Sequence, residues 1–181
     1  MLLLAFSLQG CLPLPVTYWA PTIEKSNSTS IKTDTVSHYS GGLAPNNTVE
    51  FLIQEVSIFV KPHRIVLNIP EGRNVRFKSS TVTINHKGST QPSTIKMSSV
   101  DYWDYEKQKS ILFKPTSILK GTSRSVLGFP SPISFTIRMR YPSLDSFSLK
   151  LPNIIINNKE HSLPLIHFEK SNGFGVFPIN G

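Results

Sequence analysis

The sequence predicts an all-β fold, an antiparallel β-sandwich, and three observations carry that expectation. Short runs of β-branched and aromatic residues recur from Thr48 onward, the composition that suits a half-buried pleated surface. Ile133 to Tyr141 alternates strictly, with Ile133, Phe135, Ile137, Met139 and Tyr141 set between Ser134, Thr136, Arg138 and Arg140. A period of two over such a length buries one face and leaves the other wet and basic. Turn-forming residues separate the runs, and the 14 prolines sit mostly at run ends, which breaks the chain into about eight to ten short strands.

In chain order, residues 11–47 read as an extended tether. Leu12-Pro13-Leu14-Pro15 resists helix because each proline pushes its predecessor to extended geometry. Ser26-Asn27-Ser28-Thr29-Ser30, Gly41-Gly42 and Pro45-Asn46-Asn47 are polar breakers. Tyr18-Trp19 is the bulky apolar element of this stretch. It either docks on the domain or sits at a membrane interface, where amphipathic rings are favoured.

Residues 48–181 are expected to form the domain. Val49 to Ile53 and Val56 to Val60 read as strands, the second stopped by Pro62, which has no amide hydrogen to donate to a ladder. Ile65 to Ile69 follows, with a turn at Pro70-Glu71-Gly72. Val75-Arg76-Phe77 and Thr81 to Ile84 alternate, and His86-Lys87-Gly88-Ser89 is a further turn. Between 99 and 109, Asp101 to Lys107 suits either a short helix after Ser99 or an extended aromatic segment. Phe147 to Leu151 alternates again. Ile154-Ile155-Ile156, Asn157-Asn158 and Leu163 to Phe168 read as a hairpin, because asparagine tolerates the positive φ of a tight turn. Phe174, Val176 and Phe177 suggest one more edge strand. The expectation is an immunoglobulin-like or similar sandwich, with one short helix at most.

Net charge is +8 over 181 residues. Lys61, Arg64, Arg73, Arg76, Lys78 and Lys87 form one basic run, with only Glu71 opposing them. Lys107, Lys109, Lys114, Lys120 and Arg124 form a second, acid-free one. A basic surface meets polyanions if these charges converge and is plain solvated charge if they scatter.

No catalytic constellation stands out, and neither a metal site nor a cofactor is expected. Gly121-Thr122-Ser123-Arg124-Ser125 opens like a nucleophile elbow but lacks the closing glycine. None of His38, His63, His86, His161 and His167 has a close ligand partner in sequence. On one extended strand, His161 and His167 would lie about 20 Å apart, too far to share an ion. Asp101, Asp104 and Glu106 offer hard oxygens without the glycine and spacing of a calcium loop. The same segment carries Tyr102, Trp103 and Tyr105. Rings beside carboxylates suit sugar binding, by stacking and by hydrogen bonds to hydroxyls. The alternative is that Trp103 and one tyrosine pack into the core.

Leu8-Gln9-Gly10-Cys11 closes a short apolar leader, and Cys11 is the one cysteine of the chain. Over about ten residues this resembles the lipobox of bacterial lipoproteins. That resemblance implies cleavage between Gly10 and Cys11 and a lipidated Cys11 thiol. Residues 1–10 would then be the signal peptide. Gln9 departs from the small residue usual at that position, and the leader has no Lys or Arg, so the true start is expected upstream. Leu12, in place of an inner-membrane-retaining Asp, implies the outer membrane. The alternative is a buried N-terminal strand carrying an unrelated cysteine. The resulting expectation is a periplasm-facing lipoprotein held to the bacterial membrane by its lipid. Its role would be structural or interactive, with envelope proteins or anionic envelope polymers as partners and not nucleic acid. An envelope glycan- or lipid-binding module is the second reading. An envelope hydrolase, needing a histidine within reach of a serine or carboxylate, is the third.

Overall fold

The computed structural model describes residues 11–23, 32–38, 46–61, 64–86, 88–126 and 129–178. They form sixteen strands. In order these are β1 (Cys11–Ile23), β2 (Lys32–His38), β3 (Asn46–Ile53), β4 (Val56–Lys61), β5 (Arg64–Ile69), β6 (Asn74–Phe77), β7 (Thr81–Asn85) and β8 (Ser93–Asp104). Then come β9 (Lys109–Phe113), β10 (Leu119–Lys120), β11 (Ser123–Val126), β12 (Phe129–Met139), β13 (Ser146–Lys150), β14 (Ile154–Ile156), β15 (Lys159–His161) and β16 (Leu165–Pro178). There is no helix among the described residues.

Every strand pairing is antiparallel, and the sheets form a nearly closed, sandwich-like arrangement. The long sheet runs β1-β16-β13-β7-β8-β12-β5-β4-β3-β2, with β9 added on β8 and β11 on β12. Its first strand comes back to lie against β3 and β4. A smaller sheet, β10-β6-β14-β15, contributes Leu119, Val75, Phe77, Ile154 and Ile156 to the core.

β8 makes the corner. Residues 93–96 pair with β7 and residues 97–101 with β12. Between these two partners the register slips: Arg138 is opposite Ser99, but Met139 is opposite Met97. Ser98 is thus the extra residue of a bulge, and its Oγ donates to the Arg138 carbonyl at 3.0 Å. Bulges bend a strand and raise its twist, which lets one strand serve two packed sheets.

Alternation puts the core where hydropathy predicts it. Val56, Ile58 and Val60 of β4 face Ile65, Leu67 and Ile69 of β5, and none of the six exposes more than a trace. Trp19 docks on the domain: its indole Nε1 donates to the Leu144 carbonyl at 2.9 Å, and its ring meets Phe147 edge-on at 6.2 Å.

Several expectations change. Residues 11–23 and 32–38 are not tether but strands, and β1 pairs with β16 along its whole length. Pro13, Pro15 and Pro21 share one parity, so their missing donors point to one side of a strand that ends the sheet order. An unpaired edge needs no donors there. The segment 99–109 is extended and then turns, with no helix. Ile154–Ile156 pairs with Lys159–His161, not with 163–168, across Asn157 (φ 46°) and Asn158 (φ 68°). The tail is no separate strand: it continues β16. One tight turn carries no sequence signal at all. Gln54 (φ 46°) and Glu55 (φ 70°) both adopt the left-handed region between β3 and β4. Glu55 accepts from Arg73 Nη2 at 2.6 Å, a largely exposed ion pair beside the turn.

Candidate functional site

The β8–β9 hairpin projects the aromatic segment. Its register sets Asp104 opposite Lys109, Trp103 opposite Ser110, Tyr102 opposite Ile111 and Asp101 opposite Leu112. Asp104 organises the turn, its Oδ1 accepting from the backbone amides of Glu106 and Lys107, each at 3.1 Å. The Lys107 amide bond, ahead of the ammonium of that residue, holds the Asp104 carboxyl below the usual carboxylate range. Gln108 takes a positive φ of 50°, and its Nε2 donates to the Tyr105 carbonyl at 2.6 Å. The tip is therefore a locally bonded turn.

Strand parity then separates the three rings. Tyr102 points inward, stacked on Phe113 at 6.1 Å and edge-on to Phe135 at 5.5 Å. Trp103 points outward and is 47% exposed, and Tyr105 in the turn is 59% exposed. A cleft of about 230 Å³ lies among Tyr102, Trp103, Asp104, Tyr105, Glu106 and Ile133. Ile133 opens the inward face of the strand that reads best by alternation, and its place in the cleft follows only from the β8–β12 pairing. Beside Trp103, Leu112 is 66% exposed on the same hairpin.

The three carboxylates do not converge. Asp101 is 3% exposed and accepts from Arg138 Nε (2.7 Å) and Nη2 (3.0 Å) and from Ser110 Oγ (2.6 Å). Asp104 is taken up by the turn, and Glu106 faces solvent. Among the described residues no three His, Cys, Asp or Glu side chains gather as metal ligands.

The histidines fall apart as well. His161 ends β15 and His167 lies in β16, so the two are on different strands. His167 Nδ1 lies 2.7 Å from Ser148 Oγ, its cross-strand neighbour. That meets the first requirement of the hydrolase reading. The pair stands in a sheet row between Asn85 and Thr22, with no carboxylate bonded to His167 among the described residues. The side chain of His38, all of His63 and all of Gly10 lie outside the described residues. The Cys11 backbone opens β1 opposite Pro178, and its side chain is likewise outside them.

Fold and site together define an all-β protein of antiparallel, sandwich-like sheets with an aromatic cleft at one hairpin tip. No protein-family model, curated protein or solved structure matches this chain.

Proposed function

We propose that the protein is a lipid-anchored bacterial envelope protein that binds a glycan at the tip of the β8–β9 hairpin. The observation that carries the binding reading is the outward pair Trp103 and Tyr105 over a cleft edged by Asp104 and Glu106. Rings of this kind present a flat apolar face to the C–H side of a sugar, and the solvent-facing Glu106 carboxylate can accept from its hydroxyls while Asp104 stays bonded in the turn. The bonded turn holds the platform before any ligand arrives, which lowers the ordering cost of binding.

The anchor rests on Leu8-Gln9-Gly10-Cys11. With Cys11 opening β1, a lipid on its thiol would hold the sandwich at the outer-membrane surface with no tether between. Two or more acyl chains give a stable hold, whereas one does not. The protein acts here by binding, with a structural or interaction role in the envelope, and not as an enzyme.

Titration of the full chain with soluble peptidoglycan fragments and envelope polysaccharides, followed calorimetrically, tests the site. Trp103→Ala and Tyr105→Ala should each weaken binding at least tenfold with the fold intact. Wild-type affinity in both would remove the reading. Radioactive fatty acid fed to growing cells tests the anchor. Label should appear on the wild type and vanish in Cys11→Ser.

A further inference from the structure

Two pairs of basic residues that lie far apart in the sequence, Lys61 with Arg64 and Arg138 with Arg140, meet on one face of the sheet, together with Lys96. Lys61 is directly opposite Arg64 across the β4–β5 pair. Ile65 is opposite Ile137, so one step further along the antiparallel strands Arg64 comes beside Arg138. Met139 is opposite Met97, which brings Arg140 beside Lys96 in the same way. Val60, Ile65, Met97 and Ile137 are buried beside Lys61, Arg64, Lys96 and Arg138, and Arg140 is exposed between Met139 and Tyr141, which pack on the core, so all five cations point to the outer face. Arg64, Lys96, Arg138 and Arg140 are exposed. Asp101 is the acid among them and is already held by Arg138. Glu50, opposite Phe59, is the next acid on that face. Crowding is visible at Lys61, whose ammonium is pushed below its ordinary value by burial and then by Arg64.

Trp103 lies on this same outer face. It shares parity with Asp101, and Ser99 opposite Arg138 is four residues away along β8, about 13 Å at strand rise. Beside the ring, Ser134 Oγ donates to Asn68 Oδ1 at 2.7 Å, and the row between the ring and the cations is mixed, with Thr136 and Asp101 set among Val66 and the exposed Leu112. The face thus offers a stacking ring at one end and, at the other, several cations with no ion-pair partner among the described residues.

We propose that the glycan bound at Trp103 is acidic, and that its carboxylate or phosphate groups run over the Lys61–Arg64–Arg140–Lys96 patch. The inference rests on the glycan reading above and specifies the ligand class. Several long cations on an open face suit repeated anionic groups along a polymer, which charge complementarity steers and salt screens.

The test uses the full chain and four probes: alginate for carboxylates, poly(glycerol phosphate) for phosphates, neutral dextran, and phosphatidylglycerol vesicles. At low salt, one of the acidic polymers should bind at least tenfold more tightly than dextran, and which one identifies the anion. The triple variant Arg64→Ser/Lys96→Ser/Arg140→Ser should lose that preference, and Arg64→Lys/Arg140→Lys should keep it. Circular dichroism verifies the fold of each. Trp103→Ala should weaken acidic and neutral polymers alike. Equal binding of acidic and neutral polymers, or a preference that survives the triple variant, overturns the inference and leaves the glycan reading standing. Binding of the vesicles through these cations with no polymer bound overturns both.

Discussion

Arg138 grips Asp101 with two nearly parallel bonds across the β12–β8 pair, Nε to Oδ1 at 2.7 Å and Nη2 to Oδ2 at 3.0 Å. The carboxylate is 3% exposed, yet it sits on the outer face of the sheet. Ser110 completes its shell from the other side, at 2.6 Å. Arg138 of β12 thereby ties the β8–β9 hairpin that carries Trp103 to the body of the sheet, while Ser110 of β9 braces Asp101 within the hairpin.

Loss of that grip should therefore be felt in stability. Arg138→Ala leaves a buried carboxylate with Ser110 alone and is expected to cost about 2 kcal/mol, because bonds to charged groups are worth that much. Arg138 is itself largely exposed, so the larger figures for fully buried pairs do not apply. The hydrogen bond from Arg138, more than that from Ser110, holds the Asp101 carboxyl below its ordinary value. A lowered carboxyl contributes stability in full above the unfolded value near 3.8 and loses it as pH falls through the folded value. Urea melts at falling pH should show this loss below about pH 4 in the wild type and a flatter profile in Arg138→Ala.

Gly121 should tolerate no side chain. A Cβ built there would stand 1.8 Å from the Pro70 carbonyl oxygen, while its amide donates to Arg73 at 2.7 Å. The obstacle is backbone on both counts and cannot swing aside. Gly121→Ala is expected to destabilise by about 3 kcal/mol or more, read as a drop in the urea midpoint at unchanged slope.

At Tyr141 the opposite outcome is expected. Its hydroxyl is buried without a hydrogen-bond partner among the described residues, and burial pushes its pKa far upward. The ring meets Phe168 edge-on at 5.8 Å, a contact that phenylalanine keeps. Tyr141→Phe should leave thermal stability unchanged or raise it, by up to about 1 kcal/mol. A clear drop in melting temperature would show that the hydroxyl has a partner.

His161 should make the protein sensitive to mild acid. Its Nε2 is buried and unpartnered among the described residues, and burial, then Lys159, lowers its pKa from the ordinary 6.5. The unfolded chain then takes up the proton more readily, so stability is full above pH 6.5 and declines as pH falls through the folded value. Substitution by phenylalanine should remove that slope between about pH 6.5 and 5, leaving the Asp101 slope at lower pH.

Much of the core was legible from alternation alone. Ile58, Leu67, Ile84, Ile137 and Leu149 all sit in period-two runs, and all are buried. Asn157-Asn158 announced a tight turn through its chemistry, and Pro70-Glu71-Gly72 did so through Gly72 at φ +79°. Gln54-Glu55 did neither, because nothing in those side chains favours a positive φ. Only the two facing runs, zipped together from Val49 to Val60, force that turn. The candidate site was half legible. The aromatic cluster was visible as a cluster, but no local pattern said that Tyr102 faces in while Trp103 faces out.

Taken alone, the residues determined an antiparallel β protein, the inward side of its best strands, and the tight turn at Asn157-Asn158. Those are matters of local period and short motif, and neither needs distant parts of the chain. Which strands pair was decided by the tertiary structure. It drew residues 11–23 into the sheet beside β16, set Arg138 against Asp101, and placed Arg64 near Arg140 and Lys96. The physical reason is that register between strands far apart in sequence comes from burying all the apolar faces at once. That global requirement leaves no mark on any single stretch.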